Sequence, residues 1–272
     1  MDKNDNNLIK ILLLLGLSGL LFVCAILEGY GSNLTGYIIA FFAAVLAACI
    51  VTAFTISFAH LVGLILFGFV IGFLTQAIGI TSDLWCYDHT FIFAAFSWSL
   101  AAVTMEGISR LIRYKLKPLK DPPLNVLMIL ALLGALLVTL ALQDHWKYAK
   151  YRPTPGEWTM RQASGVQTCF VNQETPAKSK LEPNEPFWIY YISLAGFAIL
   201  MQAGVPFTEL LSFILAAWIM GGISEWLGAT AKLWHFRTVA LPPLFLVLGC
   251  WPLEFLVIRG LATRMKGSET IQ

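Results

Sequence analysis

Two carboxyl groups stand inside long apolar stretches of this chain, Glu106 in the run that starts near residue 91 and Glu254 in Gly249-Cys-Trp-Pro-Leu-Glu254. An ionisable side chain at bilayer depth is costly and marks function by default. A carboxyl group in apolar surroundings is more readily kept neutral than in water. A neutral carboxylic acid can hand a proton to an apolar substrate. Glu254 and Glu106 are therefore the candidate catalytic residues, expected at similar depth in their spans. Each also has a structural alternative. Arg110 follows Glu106 by four residues, the spacing of a helical ion pair, and Glu254 can hydrogen-bond a neighbouring helix.

A second polar layer is expected about 15 Å away along the helix axes. Glu28, Gln76 and Glu225 end apolar stretches. Gly72 and Gln76, like Gly221 and Glu225, are four residues apart, so each polar group shares a helix stripe with a small residue and faces another helix. Trp85, Tyr87, Trp234 and Phe236 fall at the ends of stretches on the same side. They suit membrane-interface anchors, or a stacking wall for a polyene or a carbocation. Gln76, Glu225 and these four aromatics are the candidate substrate-binding residues.

The elements that must hold these groups are membrane helices. Of 272 residues, 58% are hydrophobic and 12% charged, against about 25% charged in a soluble domain. The mean hydropathy is +0.73. A soluble enzyme and a disordered chain are both excluded. A span needs about 20 apolar residues, and eight stretches qualify: 8–29, 34–56, 60–80, 91–112, 124–143, 186–203, 207–228 and 238–260. No alternation of the kind a membrane barrel shows is visible. The fold class is all-α integral membrane. The basic residues of 110–120, the tail and the N-terminus fall on one side, which places both termini in the cytoplasm of a bacterial-type inner membrane. The loop 144–185 lies outside, where Cys86 and Cys169 are free to pair.

The chain repeats itself. TQAIGITSDLWCY at 75–87 matches SEWLGATAKLWHF at 224–236 at an offset of 149, with Gly79, Thr81, Leu84 and Trp85 meeting Gly228, Thr230, Leu233 and Trp234. Gly68-x3-Gly72 meets Ala217-x3-Gly221 upstream, and Glu106 meets Glu254 if one residue is dropped downstream. Residues 1–123 and 124–272 then form two four-helix halves. With an even number of helices each, they run parallel, about an axis along the membrane normal. A site is expected between them.

Trp234-His-Phe236, followed about 20 residues later by Pro252-Leu253-Glu254, resembles the membrane lycopene cyclases of the small-subunit type. Glu225-Trp-Leu-Gly228 with Leu233-Trp-x-Phe236 resembles the related bacterial carotenoid hydratases. The resemblance implies cofactor-independent acid chemistry on a long isoprenoid, protonation followed by cyclisation or hydration. Glu254 would be the acid, Glu106 its partner, and Trp234 and Phe236 pocket walls. Position 255 is Phe where those cyclases carry a second glutamate, and the first half lacks the proline.

No histidine box, nucleotide loop or metal spacing is present, so no cofactor and no metal are expected. The expected partner is a membrane lipid or isoprenoid, not nucleic acid. Three functions stand: an isoprenoid-modifying enzyme, a structural or pigment-binding subunit beside other membrane subunits, and a small-molecule transporter.

Overall fold

The computed structural model describes residues 3–31, 34, 36–82, 85–86, 91–145, 185–231, 233, 235–236 and 244–267. They form eight helices: α1 (Lys3–Leu27), α2 (Gly36–Ala53), α3 (Phe58–Thr81), α4 (Ile92–Tyr114), α5 (Pro122–His145), α6 (Glu185–Gln202), α7 (Phe207–Thr230) and α8 (Trp251–Gly267). A π-helical turn, Leu246–Cys250, leads into α8. Two short strands, β1 (Trp85–Cys86) and β2 (His235–Phe236), pair antiparallel. Among the described residues seven helices are long and apolar enough to cross a bilayer. In α6, terminal Glu185 and Gln202 and the adjacent Tyr190 and Tyr191 dilute the apolar run. The protein is an all-α, multi-pass membrane protein.

Four helices form an inner square in which α3 and α7 each pack against both α4 and α8. Outside it, α1 and α2 flank α4, while α5 and α6 flank α8 and its π turn. The square decides burial: 72% of the α4 window and 83% of the final-helix window are buried, against 28% for α2 and for α5.

Two pairs of helices correspond in length and spacing. α2 and α6 are 18 residues each, α3 and α7 are 24 each, and both pairs are offset by 149. Lys10 Nζ donates to the carbonyls of Ala53 (3.0 Å) and Ile56 (2.6 Å) at the end of α2. Asn125 Nδ2 donates to Gln202 (3.0 Å) and Val205 (2.7 Å), the carbonyls at the same offset after α6. Both side chains thus satisfy carbonyls that a helix end leaves open. In the strand pair Cys86 faces His235, its own counterpart at 149.

Beyond the strands the offset becomes 153. Gly72 packs under Trp98, where a Cβ would come within 2.6 Å of the tryptophan, and Gly221 packs under Trp251, at 2.9 Å. Gly107 meets Thr52 and Gly260 meets Met201, again 153 apart against a pair 149 apart. Two expectations are corrected here. Tryptophan side chains, not another helix backbone, fill the notch at Gly72 and Gly221. And the counterpart of Glu106 is Arg259, while that of Glu254 is Ala101.

The last span also ends later than expected. Among the described residues it is helical over 244–267, seven residues beyond 260. Pro252 has no N–H to give the Leu248 carbonyl, and the backbone answers with the π turn. The Trp218 indole lies 3.4 Å from that carbonyl and donates to it. Glu254 consequently sits in the first turn of α8, and Arg259 belongs to the buried core, not to a tail.

Candidate functional site

The strand side of the square contains a cleft. It holds about 820 Å³ of empty space, counted to its open mouth. The interior is narrow, and its wall is mainly apolar. Phe41 and Phe42 of α2 line one side and Met220 and Ser224 of α7 the other, with Ala101 and Trp98 of α4 behind. Gln76, Trp85, Glu225 and Trp251 line the same space. α2 and α7 make little direct contact across it.

Two indoles set the polar end. Trp85 Nε1 donates to Gln76 Oε1 at 2.9 Å, and Trp251 Nε1 donates to Glu225 Oε1 at 2.7 Å. Trp85 fits because Gly79 leaves no Cβ beneath its ring. Gln76 and Glu225 are counterparts, but their tryptophans are not, since one comes from β1 and the other from α8. Trp98, Trp251 and Phe255 stack at the centre, with ring centroids 4.7–5.2 Å apart. The structure therefore gathers three of the expected substrate-binding residues, Gln76, Trp85 and Glu225, on one wall. Trp234 and Tyr87 lie outside the described residues, as does Cys169. Phe236 is placed in β2, paired with Trp85, by backbone alone.

Glu254 lies behind this wall. It is fully buried. Its Oε1 accepts from Tyr191 OH at 2.5 Å and from Thr75 Oγ1 at 2.9 Å. Tyr190 OH lies 2.8 Å from the same Thr75 oxygen. Among the described residues Glu254 Oε2 has no hydrogen-bond partner. Glu254 does not line the cleft, but Thr75 does, so the two are one hydrogen bond apart.

Glu106 stands at the other end of the square, in a network of charges. Its Oε1 accepts from Arg110 Nε at 2.7 Å, the i,i+4 pair, and its Oε2 from Arg259 Nε at 3.1 Å. Arg259 also pairs with Glu209, which meets Arg113 at 2.5 Å. His60 Nε2 is 3.8 Å from Glu106 Oε1. The Arg259 guanidinium lies over the Phe213 ring. Two guanidinium groups hold the Glu106 carboxylate as an ion-pair acceptor. The expected common depth of Glu106 and Glu254 is corrected. Glu254 lies one turn from Trp251 and Glu225, and the five residues from it to Arg259 span about 7.5 Å of rise.

Sequence reasoning missed Tyr190, Tyr191, Thr75, Arg259 and Glu209. One signal was present. At the offset of 149, Tyr190 and Tyr191 fall opposite Phe41 and Phe42, Thr75 opposite Ser224, and His60 opposite Glu209. No protein family, no curated protein and no solved structure matches this chain.

Proposed function

We propose that this membrane protein takes a slender, long-chain isoprenoid-class lipid into the cleft between α2, α4 and α7, with Glu225 as the carboxyl group that meets it. The observation that carries this reading is the wall itself: tryptophans and phenylalanines, one carboxyl group and one carboxamide around a narrow space between α2, α4 and α7. Such a mixture of apolar surface and few polar groups is the usual make-up of a ligand site. Acid–base chemistry on that lipid, the enzyme reading, then falls to Glu225. Glu106 is taken up by two arginines and Glu254 is sealed among α3, α6 and α8.

A diazirine-bearing geranylgeraniol analogue tests binding, with the protein in lipid nanodiscs. Crosslinks should map to peptides holding Phe41, Phe42 or Ser224. Uniform labelling of lipid-facing peptides, with none from the cleft, overturns the reading. Glu225→Gln then separates the enzyme from its alternative. Loss of a converted lipid product with retained crosslinking supports catalysis. An unaltered lipid recovered from both forms supports the second reading, a lipid- or pigment-binding subunit of a membrane complex, which the sealing of Glu254 favours. The exposed Lys115, Lys117 and Lys120 between α4 and α5 support a cytoplasmic location for that side. A maleimide that cannot cross membranes should then miss Lys117→Cys in intact cells.

A further inference from the structure

The cleft has a counterpart in the other half. Phe41, Phe42, Met220, Ser224 and Ala101 all line the open space. Their equivalents are Tyr190, Tyr191, Ile71, Thr75 and Glu254. There the same gap, between α6 and α3, is bridged by side chains. Tyr190 OH reaches Thr75 Oγ1 at 2.8 Å and lies 3.4 Å from the Ile71 carbonyl. Tyr191 OH and Thr75 Oγ1 converge on Glu254. Every group in this bridge needs a hydroxyl or a carboxyl. On the open side the phenylalanines have no hydroxyl and Ala101 has no carboxyl, so the same bridge cannot form.

We propose that the gap between α2 and α7 is a lateral portal through which the lipid chain enters the cleft from the bilayer, and that Thr75, Tyr190, Tyr191 and Glu254 are a latch that keeps the equivalent gap between α6 and α3 shut. Both helices at the portal are long and apolar enough to cross a membrane, and the proposal places the mouth against the hydrocarbon between them. Ile219 and Ile223 of α7, next in sequence to the lining residues Met220 and Ser224, are exposed. A hydrocarbon chain crosses such a mouth without leaving apolar surroundings. The proposal rests on the lipid-binding reading and adds the route and its asymmetry.

Moving the latch tests it. Phe41→Tyr with Phe42→Tyr and Ala101→Glu installs the latch at the portal. Tyr190→Phe with Tyr191→Phe and Glu254→Gln removes it from the closed gap. Both are labelled with the diazirine geranylgeraniol probe in nanodiscs, after circular dichroism and gel filtration confirm the fold. The installed latch should lower cleft labelling about tenfold or more. The removed latch should add crosslinks on α6 that the wild type lacks. Full cleft labelling in a folded installed-latch variant overturns the portal. If that variant does not fold, Phe42→Trp, which fills the mouth without a polar group, serves in its place, with the same two outcomes. Absence of new α6 crosslinks in the unlatched variant overturns the latch. A wild type that labels nowhere in the cleft overturns the lipid-binding reading itself, and the portal with it.

Discussion

The open cleft beside α2 and the closed gap beside α6 occupy equivalent places in two halves whose helices match in length and packing. In one, two phenylalanines and an alanine leave space between membrane helices. In the other, two tyrosines, a threonine and a glutamate close it. α2 and α6 pack alike on α4 and α8, but α6 also touches α3 where α2 makes little contact with α7, and the side chains at that place differ by a handful of oxygen atoms. A buried hydroxyl must find a partner or carry a penalty. Hydroxyls therefore draw helices together where aromatic rings alone would tolerate a gap.

The largest effect is expected where the comparison loses its shared frame. Arg259 joins Glu106 to Glu209 and covers Phe213. Arg259→Ala should cost about 3 kcal/mol or more, because it removes a charge-assisted hydrogen bond from each of Glu106 and Glu209, which keep Arg110 and Arg113. Thermal unfolding in detergent would show it, and a midpoint near wild type would mean that the network is ornamental. Gly72→Ala comes next. The added methyl drives into Trp98, and overpacking costs about 1–3 kcal/mol. Gly221→Ala should cost less, since Trp251 stands slightly farther off. A reversed order would show that the halves are packed differently from this account. Tyr191→Phe removes one hydrogen bond to Glu254 and should cost about 1.5–3 kcal/mol if the carboxyl is charged, less if neutral. Its counterpart change, Phe42→Tyr alone, should cost about 1 kcal/mol, because the carboxyl that would receive the new hydroxyl is missing at Ala101. Smallest of all is Ser224→Ala, within about 0.5 kcal/mol. A larger loss at Ser224 than at Tyr191 would turn the assignment of open and closed sides around.

Much of this architecture can be read from the chain. Apolar length locates the helices within a few residues, and the match of Gly79, Thr81 and Trp85 to Gly228, Thr230 and Trp234 reveals the offset that α2, α3, α6 and α7 obey. The site was harder for two physical reasons. Four additional residues separate β2 from the matched part of α8, so an offset sought by identity pairs Glu106 with Glu254, like with like. The true counterpart, Arg259, has the opposite charge, and no search for similarity would choose it. The end of α8 was also hidden, because Arg259, Arg264 and Lys266 read as a solvated tail, whereas Arg259 is carried inside by its carboxylate partners. Gln76, Trp85 and Glu225 were legible as a group because they share one stripe or one strand end. The latch was not, since a tyrosine near the end of a span reads as an interface anchor.

The meeting of Glu106 with Arg259 has a consequence for how the molecule recognises itself. Because the two positions are equivalent, a pair of identical first halves would set glutamate against glutamate, and a pair of second halves arginine against arginine. Like charges brought together in an interface cost several kcal/mol. If the polypeptide were cut between α4 and α5 and the pieces made separately, each should reject its own copies and accept the other. The chain thus has the makings of an obligate heterodimer that happens to be written as one gene product.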